Sequence, residues 1–232
     1  MKLFLLIGQS NMAGRGELNE VEPIRDPRCK MMRNGRFLGM SEPICFDRAI
    51  DTYYHSGVGL SASFAKCAAE YFDEEIGLIP CADGGTSLSD WEPGGLLYDH
   101  AVFQTRLAMR SGTLAGILWH QGESDSKTAE SASVYGERFD RFITRLQADI
   151  GCNVPVVAGE LGEYLAEYDN GKVKHYYIVN EQLHAYAASH DNFAVASAAG
   201  LKPKPDGLHF CSVSLREFGE RYFAAYRTLI EK

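Results

Sequence analysis

Apolar residues along this chain fall into short unbroken blocks, each closed by glycine or a polar cluster. Leu3 to Ile7 is such a block, stopped by Gly8 and followed by Gln9, Ser10 and Asn11. A continuous apolar run of this length predicts a strand covered on both faces. Four more blocks predict strands at Ile76 to Cys81, Thr113 to His120, Val154 to Ala158 and Phe193 to Ala196. Between them the apolar spacing lengthens to three or four residues, as on one face of a helix. Leu60, Phe64, Cys67, Ala68 and Tyr71 predict a helix from Leu60 to Phe72. Tyr135, Phe139, Phe142, Leu146 and Ile150 predict another within Ser133 to Ile150. Further helices are expected near Tyr98 to Arg110, Lys174 to Ala188 and Val213 to Leu229. Strands alternating with helices imply an α/β layered fold with a mostly parallel sheet.

The stretch from about 17 to 56 does not share this rhythm. It holds Pro23, Pro27, Pro43 and several glycines, and reads as an irregular excursion with at most short strands that frames a pocket wall. Loops of such length rarely lack structure altogether. The whole chain, 1–232, is expected to form a single domain. No internal repeat or low-complexity segment interrupts it.

Composition narrows the class. Apolar residues make up 45% and charged residues 23% of 232, an ordinary globular balance. The net charge of -8 and the lack of a basic block argue against nucleic acid or an anionic membrane as partner. No stretch offers the ~20 consecutive apolar residues of a membrane span. The six cysteines at 29, 45, 67, 81, 152 and 211 include no CxxC pair. They are expected to be reduced thiols of a cytoplasmic protein, unless a leader precedes this sequence; the even count leaves disulfides open for an exported protein. HExxH and GxxxxGK are both absent, which removes those metal and phosphate-loop signatures.

In open α/β sheets the ligand crevice lies beyond the carboxyl ends of the strands. Four polar clusters fall there: Gly8-Gln9-Ser10-Asn11-Met12-Ala13-Gly14, Asp83-Gly84-Gly85-Thr86, Trp119-His120-Gln121-Gly122-Glu123 and Asp206-Gly207-Leu208-His209. Ser10 sits in a strand-to-helix turn, where its hydroxyl can face the crevice or serve as a helix cap. Asp206 and His209, three apart in a Pro-flanked turn, have the spacing for a carboxylate to orient an imidazole toward Ser10. Asp206 as a turn former and His209 as a hydrogen-bonded core histidine are the plainer alternatives. Backbone N–H groups of Ser10 and of Gly84 or Gly85, with the Gln121 side-chain amide, are candidate oxyanion donors. Gly84-Gly85 can equally be a tight turn, and Gln121 a satisfied loop amide. Trp91, Tyr98, Tyr54 and His55 are weaker candidates for the pocket wall or rim, and each aromatic suits the core equally. His120 is set aside, since Asp206 and His209 pair better.

These blocks resemble the SGNH/GDSL-like hydrolase superfamily, and within it the carbohydrate acetylesterases: family-six acetyl xylan esterases and sialate O-acetylesterase-like domains. The resemblance rests on residues 8 to 209, with the Ser10 and Gln121 blocks the more specific. It implies a three-layer αβα sandwich around a mostly parallel five-stranded sheet. It implies a serine esterase that removes O-acetyl groups from a sugar or oligosaccharide through an acetyl-enzyme, with no cofactor and no metal. Carried over, Ser10 is the nucleophile, His209 the base and Asp206 its partner, with Gly85 and Gln121 as oxyanion donors. Glu123 looks like a buried carboxylate that holds the motif loops, through Arg15 or the Ser10 turn. Glu123, Asn11, Gly84 and Trp91 are the expected substrate-side residues. A short-chain carboxylesterase or lipase-like hydrolase, or a non-catalytic glycan-binding domain, are the alternatives. The net charge of -8 favours a neutral acetylated sugar over a strongly acidic one.

Overall fold

The computed structural model describes residues 1–48, 53 and 55–232. Its sheet has seven strands: β1 (Lys2–Gly8), β2 (Cys29–Arg33), β3 (Arg36–Gly39), β4 (Ile76–Pro80), β5 (Thr113–His120), β6 (Val156–Gly159) and β7 (Phe193–Ala196). They are ordered β3-β2-β4-β1-β5-β6-β7. All neighbouring pairs are parallel except β2 with β3. The expected five-stranded sheet is therefore corrected to seven strands with one antiparallel pair. The additional strands lie in the proline-rich excursion, joined at Asn34-Gly35, where both residues take positive φ (49° and 74°). That is the backbone a two-residue hairpin loop requires, and Asn-Gly supplies it at little cost.

β1 lies in the middle of the sheet, and its side chains alternate between two cores. Leu3, Leu5 and Ile7 pack on one face with α3 (Leu96–Ala108), α5 (Tyr135–Ile150) and α6 (Tyr176–Ser189). Phe4 and Leu6 pack on the other with α2 (Ser61–Phe72) and α7 (Ser212–Ile230). The three layers follow from this: a strand apolar at every position needs cover on both sides. On α5, the five residues that carried the helical spacing are all buried, and Gly151 ends the helix with φ 89°. The short helix α4 (Ala129–Ser133) precedes it, so the predicted start at Ser133 falls at a junction between two helices.

The second core is rich in aromatic rings. Phe64 of α2 meets Phe4 edge-on at 4.9 Å and lies close to Tyr226 of α7 at 6.1 Å. Its side chain is wholly buried. Phe64→Ala is expected to lower unfolding free energy by about 3–5 kcal/mol through lost burial and a residual cavity. Urea denaturation should show this as a lower midpoint with an unchanged slope; a loss under about 1 kcal/mol would mean the layer closes over the gap.

Candidate active site

After β1 the chain builds β2, β3 and β4 on one side of it and then crosses to β5 on the other. Loops from three adjacent strand ends therefore meet over β1, at the switch point where such sheets hold ligands. Gly8 makes the first turn possible: its φ is 130°, and a Cβ there would lie 2.1 Å from the His120 carbonyl oxygen. Gln9 N–H then donates to that carbonyl at 2.8 Å. The turn continues as a single helical turn, α1 (Ser10–Ala13), which carries Ser10 into a cavity of about 270 Å³.

Ser10, His209 and Asp206 are joined by hydrogen bonds. His209 Nε2 lies 2.9 Å from Ser10 Oγ, and His209 Nδ1 lies 2.8 Å from Asp206 Oδ2. With the Nδ1 proton facing the carboxylate, Nε2 is left to accept from the serine hydroxyl. The other oxygen of Asp206 accepts the N–H groups of Leu208 and His209, both at 2.9 Å. Burial alone would raise the Asp206 carboxyl pKa. The bonds from the His209 ring and these two amides outweigh it and hold the pKa at about 2. Ser10 and His209 are themselves buried and line the cavity.

The loop carrying Asp206 and His209 is sequence-distant from Ser10 but tied to it at two points. Asn11 Oδ1 accepts the Phe210 N–H at 3.1 Å. Lys204 Nζ donates to the Arg15 carbonyl and to Glu17, each at 2.7 Å. Asn11 is fully buried, and its amide donates to Glu123 Oε1 at 2.6 Å. It is thus a brace between loops rather than the substrate-side residue expected. Glu123 lines the cavity yet is nearly buried, with His120 Nε2 at 3.5 Å. Burial opposes its charge, but His120 and Asn11 prevail and keep its pKa below the ordinary glutamate value. It reaches the Ser10 turn through Asn11; Arg15 pairs instead with Asp47.

Gly84 and Gly85 both line the cavity. The Gly84 N–H is already bonded to Asp47 Oδ2 at 2.8 Å, whereas the Gly85 N–H has no acceptor among the described residues. The Ser10 N–H, at the start of its helical turn, is open in the same way. Gln121 lies elsewhere. Its side chain is fully buried, and its amide donates to Asp125 Oδ2 at 2.6 Å, to the Thr86 carbonyl and to Gln9 Oε1, both at 3.2 Å. Its amide nitrogen is spent on these acceptors while Oε1 meets no partner among the described residues, so it braces the loops beneath the cavity as a half-satisfied loop amide.

The aromatic candidates move as well. Trp91 is wholly buried against Trp119, its indole donating to Thr86 Oγ1 at 3.1 Å, so it stacks on core rings and not on substrate. Tyr98 packs on Phe142 and donates to Asp149 at 2.6 Å. His55 pairs with Glu17 at 3.1 Å. Tyr54 lies outside the described residues. His120 is buried beside Phe218 with its Nδ1 3.1 Å from the Tyr222 hydroxyl. Cavity-lining residues that no motif flagged are Arg48, Ser124, Lys127, Tyr168, Lys172 and Val173. Among the described residues no cluster of His, Cys, Asp and Glu could hold a metal ion, and no helix is long and apolar enough to cross a membrane.

Comparison with known proteins agrees with the chemistry of the pocket. A family model for carbohydrate esterases, described as sialic acid-specific acetylesterase, matches residues 1–228. A probable carbohydrate esterase of Arabidopsis thaliana is 30% identical over 248 residues, covering 97% of this chain and 90% of its own. An Arabidopsis thaliana crystal structure superimposes with a TM-score of 0.85 at 28% identity, over 98% of both chains. A carbohydrate acetylesterase of Xanthomonas citri matches with a TM-score of 0.71 at 18% identity, over 98% of this chain and 56% of that one. At 12% identity an enzyme of a Lake Arreo metagenome, described as an α/β hydrolase, shares the fold with a TM-score of 0.59, over 98% of this chain and 95% of its own. The seven-stranded sheet and these structural relatives support an α/β-hydrolase fold in place of the SGNH/GDSL-like one implied by the motifs. A three-layer α/β sandwich with a serine hydrogen-bonded to histidine is thus matched along nearly its whole length by one family. This chain belongs to the carbohydrate esterases of the sialic acid-specific acetylesterase family and is a serine-type carbohydrate acetylesterase.

Proposed function

We propose that Ser10 is the nucleophile, His209 the general base and acid, and Asp206 the group that orients and stabilises the imidazole. The continuous hydrogen-bonded line from Asp206 through His209 to Ser10 Oγ carries this reading. His209 Nε2 takes the hydroxyl proton as Ser10 Oγ attacks the acetyl carbonyl. The N–H groups of Ser10 and Gly85 receive the negative charge that develops on the carbonyl oxygen. As the tetrahedral species collapses, His209 delivers its proton to the sugar oxygen, the carbon–oxygen bond breaks, and an acetyl-Ser10 ester remains. Water then gives a proton to His209 and attacks the acetyl carbon; collapse returns the proton to Ser10 and releases acetate. Gln121, with its amide spent on Asp125, has no part in these steps.

The substrate meets the local charge of the cavity rather than the net charge of the chain. Arg15, Arg48, Lys127, Lys172 and Glu123 line it, with Arg15 paired to Asp47, Arg48 to Asp83 and Lys172 to Asp169. Lys127, a lining cation with no carboxylate partner among the described residues, and the family's description together favour an acetylated acidic sugar over the neutral one suggested by the overall charge. The six cysteines are free, which supports a reducing, cytoplasmic setting.

Three outcomes follow. Ser10→Ala should lower kcat on p-nitrophenyl acetate and on acetylated sugars by at least about 10⁴-fold and abolish labelling by a fluorophosphonate probe. Wild-type rates in that variant would remove the nucleophile assignment. Steady-state comparison should give higher kcat/KM for acetyl than for butyryl or octanoyl esters, whereas a preference for the longer chains would favour a lipase-like hydrolase. Acetylated sialic acid should be turned over at least as efficiently as acetylated xylo-oligosaccharide at low ionic strength, with an advantage that shrinks as salt screens the cavity.

The lowered Asp206 pKa also sets a stability window. A carboxyl held at about 2 in the folded chain, against an ordinary 3.8, stabilises the fold above pH 3.8. That contribution disappears as pH falls through about 2. Asp206→Asn should therefore lower the melting temperature at pH 6, and the gap to wild type should close on acidification across that window. A gap that persists unchanged at lower pH would mean the carboxylate charge does not stabilise the fold.

A further inference from the structure

The peptide joining Gly84 to Gly85 has two functional ends. Its N–H is the one proposed to hold the oxyanion, and its C=O points the opposite way in the same rigid plane. Whatever grips the Gly84 carbonyl therefore also aims the Gly85 N–H. Arg48 does this: its Nη2 donates to Gly84 O at 2.7 Å, while its Nη1 lies 3.2 Å from Asp83 Oδ1. The preceding peptide is held as well, because Asp47 Oδ2 accepts the Gly84 N–H at 2.8 Å.

The clamp is itself anchored. Asp47 and Arg15 form a buried two-pronged ion pair, and Arg15 Nη1 also donates to the Gly14 carbonyl at 3.0 Å. Ser56 Oγ accepts the Arg48 N–H and donates to Asp47 Oδ1, both at 3.0 Å. Position 84 must be glycine to admit this arrangement, since a Cβ there would fall 2.3 Å from Arg15 Nη2 and 2.9 Å from Asp47 Oδ2. Residues of the irregular excursion thus hold both peptides of the β4 loop against the Ser10 turn.

We propose that Arg48 is a positioning residue of the esterase: its guanidinium fixes and polarises the Gly84–Gly85 peptide so that the Gly85 N–H meets the developing oxyanion. This rests on the reading of Ser10 as nucleophile and Gly85 as donor given above. A cationic donor on the carbonyl draws electron density from the peptide and strengthens the N–H at its other end. Its influence is therefore felt in the transition state more than in substrate binding.

Arg48→Ala and Arg48→Lys, assayed on p-nitrophenyl acetate and a neutral acetylated xylo-oligosaccharide, test this without a contribution from substrate charge. Arg48→Ala should lower kcat about ten- to a hundred-fold with KM changed by less than about three-fold. Affinity for a boronic acid that forms a tetrahedral adduct on Ser10 should fall in parallel. Arg48→Lys should recover part of the loss, and millimolar guanidinium should restore part of the activity of Arg48→Ala. A folded Arg48→Ala enzyme with wild-type kcat and boronate affinity overturns the proposal, as does a loss confined to KM. Should Arg48→Ala fail to fold, a folded Arg48→Lys variant with wild-type kcat and boronate affinity overturns it equally. Ser10→Ala assayed alongside separates the two failures: if it stays active, the serine reading falls; if it is inactive while Arg48→Ala is intact, only the role of Arg48 falls.

Discussion

The burial of β1 on both faces is the constraint on which the rest depends. Leu3, Leu5 and Ile7 enter one core, Phe4 and Leu6 the other, and parallel neighbours close both edges of the strand. Such a strand has almost no freedom to shift, because a one-residue slip would exchange every side chain between the two cores. The turn that follows inherits that rigidity. Ser10 stands two residues beyond the end of β1, fixed by the Gly8 approach to His120.

The partner groups are positioned by polar ties instead of apolar packing. Asn11 and Lys204 fasten the Asp206–His209 loop to the Ser10 turn, and Asp47 and Arg48 fasten the Gly84–Gly85 loop beside it. Buried polar groups of this kind are costly unless each finds a partner. Here most of them satisfy one another across loops, so the cost of burying them is converted into geometric definition. Loops remain loops, yet the reacting groups are held by a network that a flexible segment alone could not provide.

The centre of the sheet was legible because unbroken apolar runs have few other uses. Thr113 to His120 matches β5 at both ends, and Phe193 to Ala196 matches β7. The β2–β3 hairpin was missed because its strands are short and set among prolines; Asn34-Gly35 was the signal that could have revealed it. Trp91 and Tyr98 could not be assigned from sequence, since an aromatic ring serves a core and a sugar site with the same chemistry. Gln121 shows the limit of strand-end reasoning: the backbone position was right, but the amide turns down toward Asp125. The superfamily label failed for a related reason. Motifs at strand ends report a crevice that many α/β sheets share, whereas strand number and order define the fold. Asp47 and Arg48 carried no periodicity or motif to announce them.

The hydrogen bond between Ser10 and His209 spans a separation of 199 residues. A partial chain emerging during synthesis therefore carries the serine hydroxyl long before its imidazole exists. Under the proposed roles the hydroxyl is an ordinary, unactivated alcohol until the loop before α7 docks against the Ser10 turn. Activation of the serine is, under those roles, a property of the assembled fold and not of any local stretch of sequence.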